Sequence, residues 1–200
     1  KTIDTFLQEK QFYDYRLVSS LGWEQSDVEY FQEQPDVRYA EGSRTMDVIY
    51  NYSRNYEAVL KTHSLPDDIN GIKLLSGRMP TSPDECVVDS DMMKVPSIGK
   101  TIRVSAENSE DTANMISHKE FKIVGIVNSS YYIHFERGTT SIGNGSVSGF
   151  VYIMPEAFLT EYYTEIFVRF NQDYEIYSDD YSDYIKNHSE NWETIVRQRI

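Results

Sequence analysis

Residues 119–129 read KEFKIVGIVNS, and residues 149–170 read GFVYIMPEAFLTEYYTEIFVRF. In the first segment Phe121, Ile123 and Val127 share one side of a two-residue alternation. Val124 and Ile126 share the other, and Lys122 is the only charge between Phe121 and Val127. A short run that is apolar on both sides predicts a central strand covered on both faces. Residues 150–154 and 166–170 predict two further strands. Between them Pro155 precedes Glu156, Ala157, Phe158 and Leu159, and a proline at the first helical position predicts a short helix. The stretch therefore reads strand, loop, strand, helix, strand, with no catalytic pattern in it.

Working outward, the 200 residues are 40% hydrophobic, enough for one sizeable core or two smaller lobes. Acidic residues outnumber basic ones by 32 to 19, giving a net charge of -13. That balance excludes a nucleic-acid surface, which needs clustered Lys and Arg, and excludes docking by charge onto anionic lipid. Cys86 is the only cysteine, so neither an internal disulfide framework nor a multi-cysteine metal site can form. No apolar run reaches roughly 18 residues, the length that reads as a membrane span. The chain begins with Lys1 and carries no signal-peptide pattern, so it reads as a segment of a longer protein.

Residues 1–11 place Ile3, Phe6 and Leu7 at helical spacing without an N-cap, which predicts the continuation of an upstream helix. Residues 12–19 alternate, with Tyr13, Tyr15 and Leu17 opposite Asp14 and Arg16, and predict a half-buried strand ended by Gly22. Ser26-Asp27-Val28-Glu29 has a capping-box pattern, and Val28 with Phe31 supplies a packing side. Pro35 and Asp36 end that helix. Residues 37–51 form one long extended run with a bend expected at Gly42. Residues 56–62 alternate again, and residues 65–68 read as a turn. From Gly71 the segments shorten between Gly77, Pro80, Pro83, Pro96 and Gly99, which predicts a mostly β lobe. Residues 107–117 read as a polar loop or hairpin tip. Asn144-Gly145 is a hairpin-turn signal inside a Gly/Ser-rich loop that also holds Gly138, Gly143 and Gly149.

At the end of the chain a helix is predicted to begin at Ser178. Asp179, Asp180 and Asp183 lie in its first turns and Arg197 and Arg199 in its last, matching the helix dipole. Tyr181, Ile185, His188, Trp192, Ile195 and Arg199 follow a four–three seam, so the helix is expected to continue as a coiled coil or to enter a membrane. The predicted fold class is α+β. Residues 1–62 and 148–200 form a porter-like, ferredoxin-like unit of two strand–helix–strand elements, and residues 63–147 an inserted, mostly β unit. The terminal helices are expected to point to the membrane.

The chemistry-bearing residues make no recognisable site. His63, His118, His134 and His188 lack metal-ligand spacing. Cys86 starts a strand and reads as a buried thiol. Asp89-Ser90-Asp91 lacks the glycine and downstream glutamate of a calcium loop. The Gly143-Asn144-Gly145 segment lacks the ending and the following helix of a phosphate loop, leaving a mobile hairpin tip or a partner contact. Asn51, Asn128, Asn144 and Asn187 begin sequons that matter only in a eukaryotic secretory setting.

An ordered set of motifs does carry a resemblance. It comprises Asp14-Tyr15-Arg16-Leu17-Val18-Ser19-Ser20 then Gly22; Val37 and Glu41; Leu75-Ser76-Gly77-Arg78-Met79-Pro80; and Asp84-Glu85-Cys86-Val87-Val88. Gly99-Lys100, Phe121-Lys122-Ile123-Val124-Gly125-Ile126-Val127 and Phe150-Val151-Tyr152-Ile153 complete it. In this order they resemble the extracytoplasmic core domain of FtsX/MacB-type ABC transporter permeases. Tyr177-Ser178-Asp179-Asp180-Tyr181 looks most like the long permeases of Firmicutes, where such a helix leads into a coiled coil. The resemblance implies an extracellular, non-enzymatic domain with no cofactor, metal or shared catalytic residue. It implies a membrane-embedded parent, a separate cytoplasmic ATPase subunit and a permease dimer. The implied work lies outside the membrane, on a peptide, lipoprotein or cell-wall partner.

Two rival readings follow from the residues alone. Aromatic content and the Gly/Ser loop fit a secreted or surface-anchored glycan- or peptide-binding module. A hydrolase would have to use Cys86, or paired acids such as Asp89 and Asp91, but no nucleophile, base and orienting group occur at recognisable spacing.

Overall fold

The structure, a computed structural model, describes residues 13–53, 56–69, 71–92, 95–129 and 145–200. The helix expected at residues 1–11, His134, and most of the Gly/Ser loop lie outside the described residues. In chain order the elements are β1 (Tyr15–Trp23), α1 (Gln25–Gln32), β2 (Val37–Ser43), β3 (Thr45–Ser53), β4 (Tyr56–Ser64), β5 (Ile72–Gly77), β6 (Glu85–Asp89) and β7 (Thr101–Val104). There follow α2 (Glu110–Asn114), β8 (Glu120–Ser129), β9 (Val147–Ile153), a 3₁₀ turn at Pro155–Ala157, β10 (Tyr163–Phe170) and α3 (Asp179–Arg199).

The strands form two sheets. The smaller has the order β1-β10-β2, with β10 antiparallel to both neighbours. β1, α1 and β2 thus make a split β-α-β unit with β10 inserted between its strands. Val28 and Phe31 of α1 and Trp192 and Ile195 of α3 bury one face of this sheet, against Ile166, Val168 and Phe170. The cap of α1 is Glu24, not the expected Ser26. Asp27 Oδ2 accepts the Glu24 backbone N–H at 2.7 Å, while the Ser26 hydroxyl accepts from Arg199 Nη2 at 2.9 Å.

The larger sheet has the order β5-β8-β6-β9-β4-β3-β7, and β7 also pairs with β8. That extra pairing closes six strands into a barrel. Closure removes two sheet edges and encloses a core of alternate side chains, among them Tyr50, Leu60, Cys86, Phe121, Ile123 and Ile153. Residues 121–127 are the central strand their pattern predicts. One edge of β8 is shared, with β7 on Lys122, Phe121 and Glu120 and β5 from Gly125 to Ser129, while β6 takes the other edge.

Several expectations are corrected. β9 and β10 lie in different sheets, and the link between them holds one 3₁₀ turn, so the second strand–helix–strand unit does not form. Three residues rise only about 6 Å, too little to cross a sheet. The extended run at 37–51 divides at Arg44, not Gly42, into β2 and β3 of different sheets. Strands β3, β4 and β9, read from sequence as part of the terminal unit, are members of the larger sheet, whose strands span residues 45–153. The hairpin signalled at Gly145 does not join β8 to β9, because β6 lies between them. Residues 107–117 contain the short helix α2, capped by Ser109.

The helix predicted from Ser178 does form. Ser178 Oγ accepts the Tyr181 N–H at 3.1 Å. Its four–three seam is spent within the domain. Tyr181 bonds Asp14, Ile185 and Ile195 pack on the small-sheet core, His188 lies against Phe170, and Arg199 pairs with Asp27. α3 therefore runs from the Asp14 end of β1 toward Asp27, a length of about 31 Å for 21 residues. Tyr13 and Ile200 lie near opposite ends of it. Among the described residues, no helix is long and apolar enough to cross a membrane.

Candidate functional site

Two features distinguish this fold: the junction between its sheets, and a groove between β1 and α3.

At the junction, the chain passes from the small sheet to the barrel at Arg44 and returns through residues 154–162. Glu165, on β10, is almost fully buried at 2% exposure. Arg16 Nε donates to its Oε2 at 2.5 Å, and Thr45 Oγ1 donates to its Oε1 at 2.9 Å. The hydroxyl proton of Thr45 is thereby used, so the 2.9 Å contact with His63 Nδ1 places a proton on that ring nitrogen. Burial pushes the His63 imidazole down to about 3, and nearby Lys61 and Arg16 add to the effect, so it is neutral. The ring stacks on Tyr152 at 5.2 Å. Thr45 N–H donates to Thr164 Oγ1, which donates to Ser43 O.

A second carboxylate spans the same junction. Glu41, on β2, accepts the backbone N–H groups of Asp67, Asp68 and Ile69 from the loop after β4. Three successive N–H groups on one carboxylate form an anion-holding concavity. Burial nevertheless holds the Glu41 carboxyl above its ordinary range, although the three N–H bonds oppose the shift. Beside Glu41 lies a small space of about 20 Å³, whose lining includes His63, Ile69, Tyr152 and Phe167. An open cleft of about 250 Å³ on the α1 side includes Arg44, Asp67 and Tyr163. The Arg44 guanidinium stacks over Tyr163 at 4.3 Å.

The groove lies between β1 and α3. It encloses about 420 Å³ and is lined by Tyr15, Leu17, Trp192 and Val196, with Arg16 and Arg197 beside them. β1 is an outer strand of its sheet, and it exposes Val18 and Leu21. Sequence reading did not find either feature. A signal for the junction was present: Glu165 and Arg169 are charges inside an otherwise apolar strand, and both are buried.

The sequence candidates are not brought together. Cys86 is fully buried in the barrel core, and burial pushes its thiol up, which suppresses the thiolate a nucleophile requires. Asp89 is buried and its Oδ1 accepts the Asp91 N–H at 2.8 Å, so the pair shapes the turn after β6. His118 bonds Ser117 at 2.7 Å, and His188 bonds Tyr184 O at 2.8 Å on α3, each distant in the topology from His63 on β4. Asp179, Asp180 and Asp183 lie in the exposed first turns of α3. Among the described residues no group of three or more His, Cys, Asp or Glu could hold a metal ion.

The ordered motifs instead acquire structural reasons. Arg78 makes a fork onto Glu85, with Nη1 to Oε2 at 2.8 Å and Nη2 to Oε1 at 2.5 Å, and Thr81 N–H joins it. This pins the loop between β5 and β6. Gly77 has a φ of 77°, and a Cβ there would clash with Val124 O.

Comparison with known proteins agrees with this architecture. The sequence profile of the MacB-like periplasmic core domain matches residues 8–178. No curated protein sequence matches the chain. Among solved structures, the chain is similar to the periplasmic region of MacB from Actinobacillus actinomycetemcomitans. That TM-score is 0.50, with 14% identity over 90% of this chain and 75% of that one. It is also similar to the extracellular domain of the noncanonic ABC-type transporter YknZ from Gram-positive bacteria. There the TM-score is 0.49, with 12% identity over 87% of this chain and 86% of that one. With a mixed α+β fold and a profile match over most of its length, the chain belongs to the MacB-like periplasmic core domains, non-catalytic extracytoplasmic parts of ABC transporter permeases.

Proposed function

We propose that this domain is the outer coupling element of a permease dimer served by a separate cytoplasmic ATPase. Its work is to move or extract a peptide- or lipoprotein-like substrate, or to act on a partner in the cell wall. The profile match over residues 8–178 carries this reading. The unit holding the small sheet and α3 is the part we assign to the membrane side, and the barrel is the inserted, outward unit. The outer edge of β1, which pairs with no strand among the described residues, and the apolar groove beside it are the surface that suits an extended peptide.

The parent protein tests the reading. A Lys119→Cys variant in intact cells is expected to react with a membrane-impermeant maleimide, because Lys119 is exposed while Cys86 is buried. The labelled parent is expected to stay with the membrane through an alkaline carbonate wash. Labelling only after permeabilisation overturns the extracytoplasmic placement. Release by the wash favours instead a surface-held peptide-binding module.

A further inference from the structure

We propose that Glu41 and Glu165 are two latches that hold the small sheet against the barrel, and that Arg44 and residues 154–162 form the hinge they control. This goes beyond the coupling role, since it concerns how the two halves of the domain are held.

Both carboxylates project from the small sheet, Glu41 from β2 and Glu165 from β10. Both accept donors from the barrel side: the hydroxyl of Thr45, the first residue of β3, and the N–H groups of residues 67–69. Among the described residues, the main apolar cluster of the small sheet and that of the barrel share no residue. Where the halves meet, Glu41 lines both a small space of about 20 Å³ and a cleft of about 250 Å³. Units with independent cores joined by short links and a polar contact move relative to each other unless something specific holds them. Here the holding groups are charge-assisted hydrogen bonds, which are short, directional and lost together when the halves separate. Arg16 keeps Glu165 aimed at Thr45 from within its own sheet. Opening would uncover Phe167, Ile69 and Tyr152, which are buried and line the small space beside Glu41.

The test uses the 200-residue chain with spin labels at Lys119→Cys, ahead of β8, and Asn187→Cys on α3, both exposed positions. With the latches intact, pulsed electron spin resonance is expected to give one narrow distance distribution. Combining Glu41→Ala with Thr45→Val is expected to broaden or split it by several ångströms. Amide exchange at residues 67–69 should accelerate at least tenfold in Glu41→Ala, while β8 amides keep their protection. A single narrow distribution in the double variant, with β8 still protected, overturns the proposal, because packing alone would then set the angle. If the double variant does not fold, the unsubstituted chain decides. Amides 67–69 exchanging well before those of β8 support a latch that opens locally, and amides 67–69 exchanging only with β8 overturn it.

Discussion

The hydroxyl of Tyr181, in the first turn of α3, donates to Asp14 Oδ1 at 2.9 Å across 167 residues of chain. The same carboxylate accepts the Phe170 N–H at 2.6 Å and Gln172 Nε2 at 3.1 Å. Asp14 thus ties the start of β1, the end of β10 and the start of α3 to one half-buried group. Burial holds its carboxyl above the ordinary range, against the pull of its donors. A hydrogen bond to a charged group contributes about 1.5–3 kcal/mol. Tyr181→Phe is therefore expected to lower the urea midpoint of unfolding with an unchanged m-value, and to speed amide exchange in the first turns of α3.

Trp192 is the largest apolar anchor of α3. Its ring contacts Tyr15, Phe31 and Phe170 at centroid distances of 5.9, 5.9 and 5.3 Å. Truncating a buried tryptophan costs about 3–5 kcal/mol. Trp192→Ala is expected to cost an amount in that range, measured by denaturant unfolding followed through tyrosine and Trp23 fluorescence.

The Arg78–Glu85 fork makes a pH prediction. Hydrogen bonding from Arg78, then from the Thr81 N–H, holds the Glu85 carboxyl down at about 2. A depressed carboxylate adds stability above its unfolded pKa of about 4.3, and that stability is lost as pH falls through about 2. Asp14 acts in the opposite sense. Its raised pKa adds stability that is present below the unfolded pKa and lost as pH rises through the folded one. Glu85→Gln is therefore expected to lose less melting temperature than the unsubstituted chain between pH 5 and pH 2. An identical loss in both would rule out the fork as the source.

Gly77 closes β5 against β8 in the left-handed region, where an added Cβ would meet Val124 O. Strain of that kind costs about 1–3 kcal/mol before the clash is counted. Gly77→Ala is expected to destabilise the barrel by about 2 kcal/mol or more, read from thermal unfolding and from amide exchange of β8.

Cys86 provides a check on the barrel interior. Its thiol is buried and its ionisation suppressed by that burial. Ellman's reagent is expected to leave it unmodified in the native chain and to react with one equivalent after denaturation. Reaction at the native rate of a free thiol would show that the barrel opens on the timescale of labelling.

The sequence alone determined the strength and burial of β8, because residues 121–127 are apolar on both sides of the pleat. It also determined the cap of α3 at Ser178, the packing side of α1 at Val28 and Phe31, and the inert burial of Cys86, each a matter of local period and residue type. The ordered motifs carried the family. What only the tertiary structure decided is which strands meet. A two-residue period says which side chains share a face and nothing about the partner strand, so β9 and β10 read as neighbours although they lie in different sheets. The same limit hid the sharing of one β8 edge by β5 and β7, and with it the closure of the barrel. The seam of α3 read as a coiled coil because Trp192 and Ile195 need an apolar partner, and the small sheet of the same chain supplies it. Glu165 showed as a charge out of place in an apolar strand, but its partner Thr45 lies across the junction, and hydrogen bonds between residues so far apart in sequence exist only once the fold has brought them together.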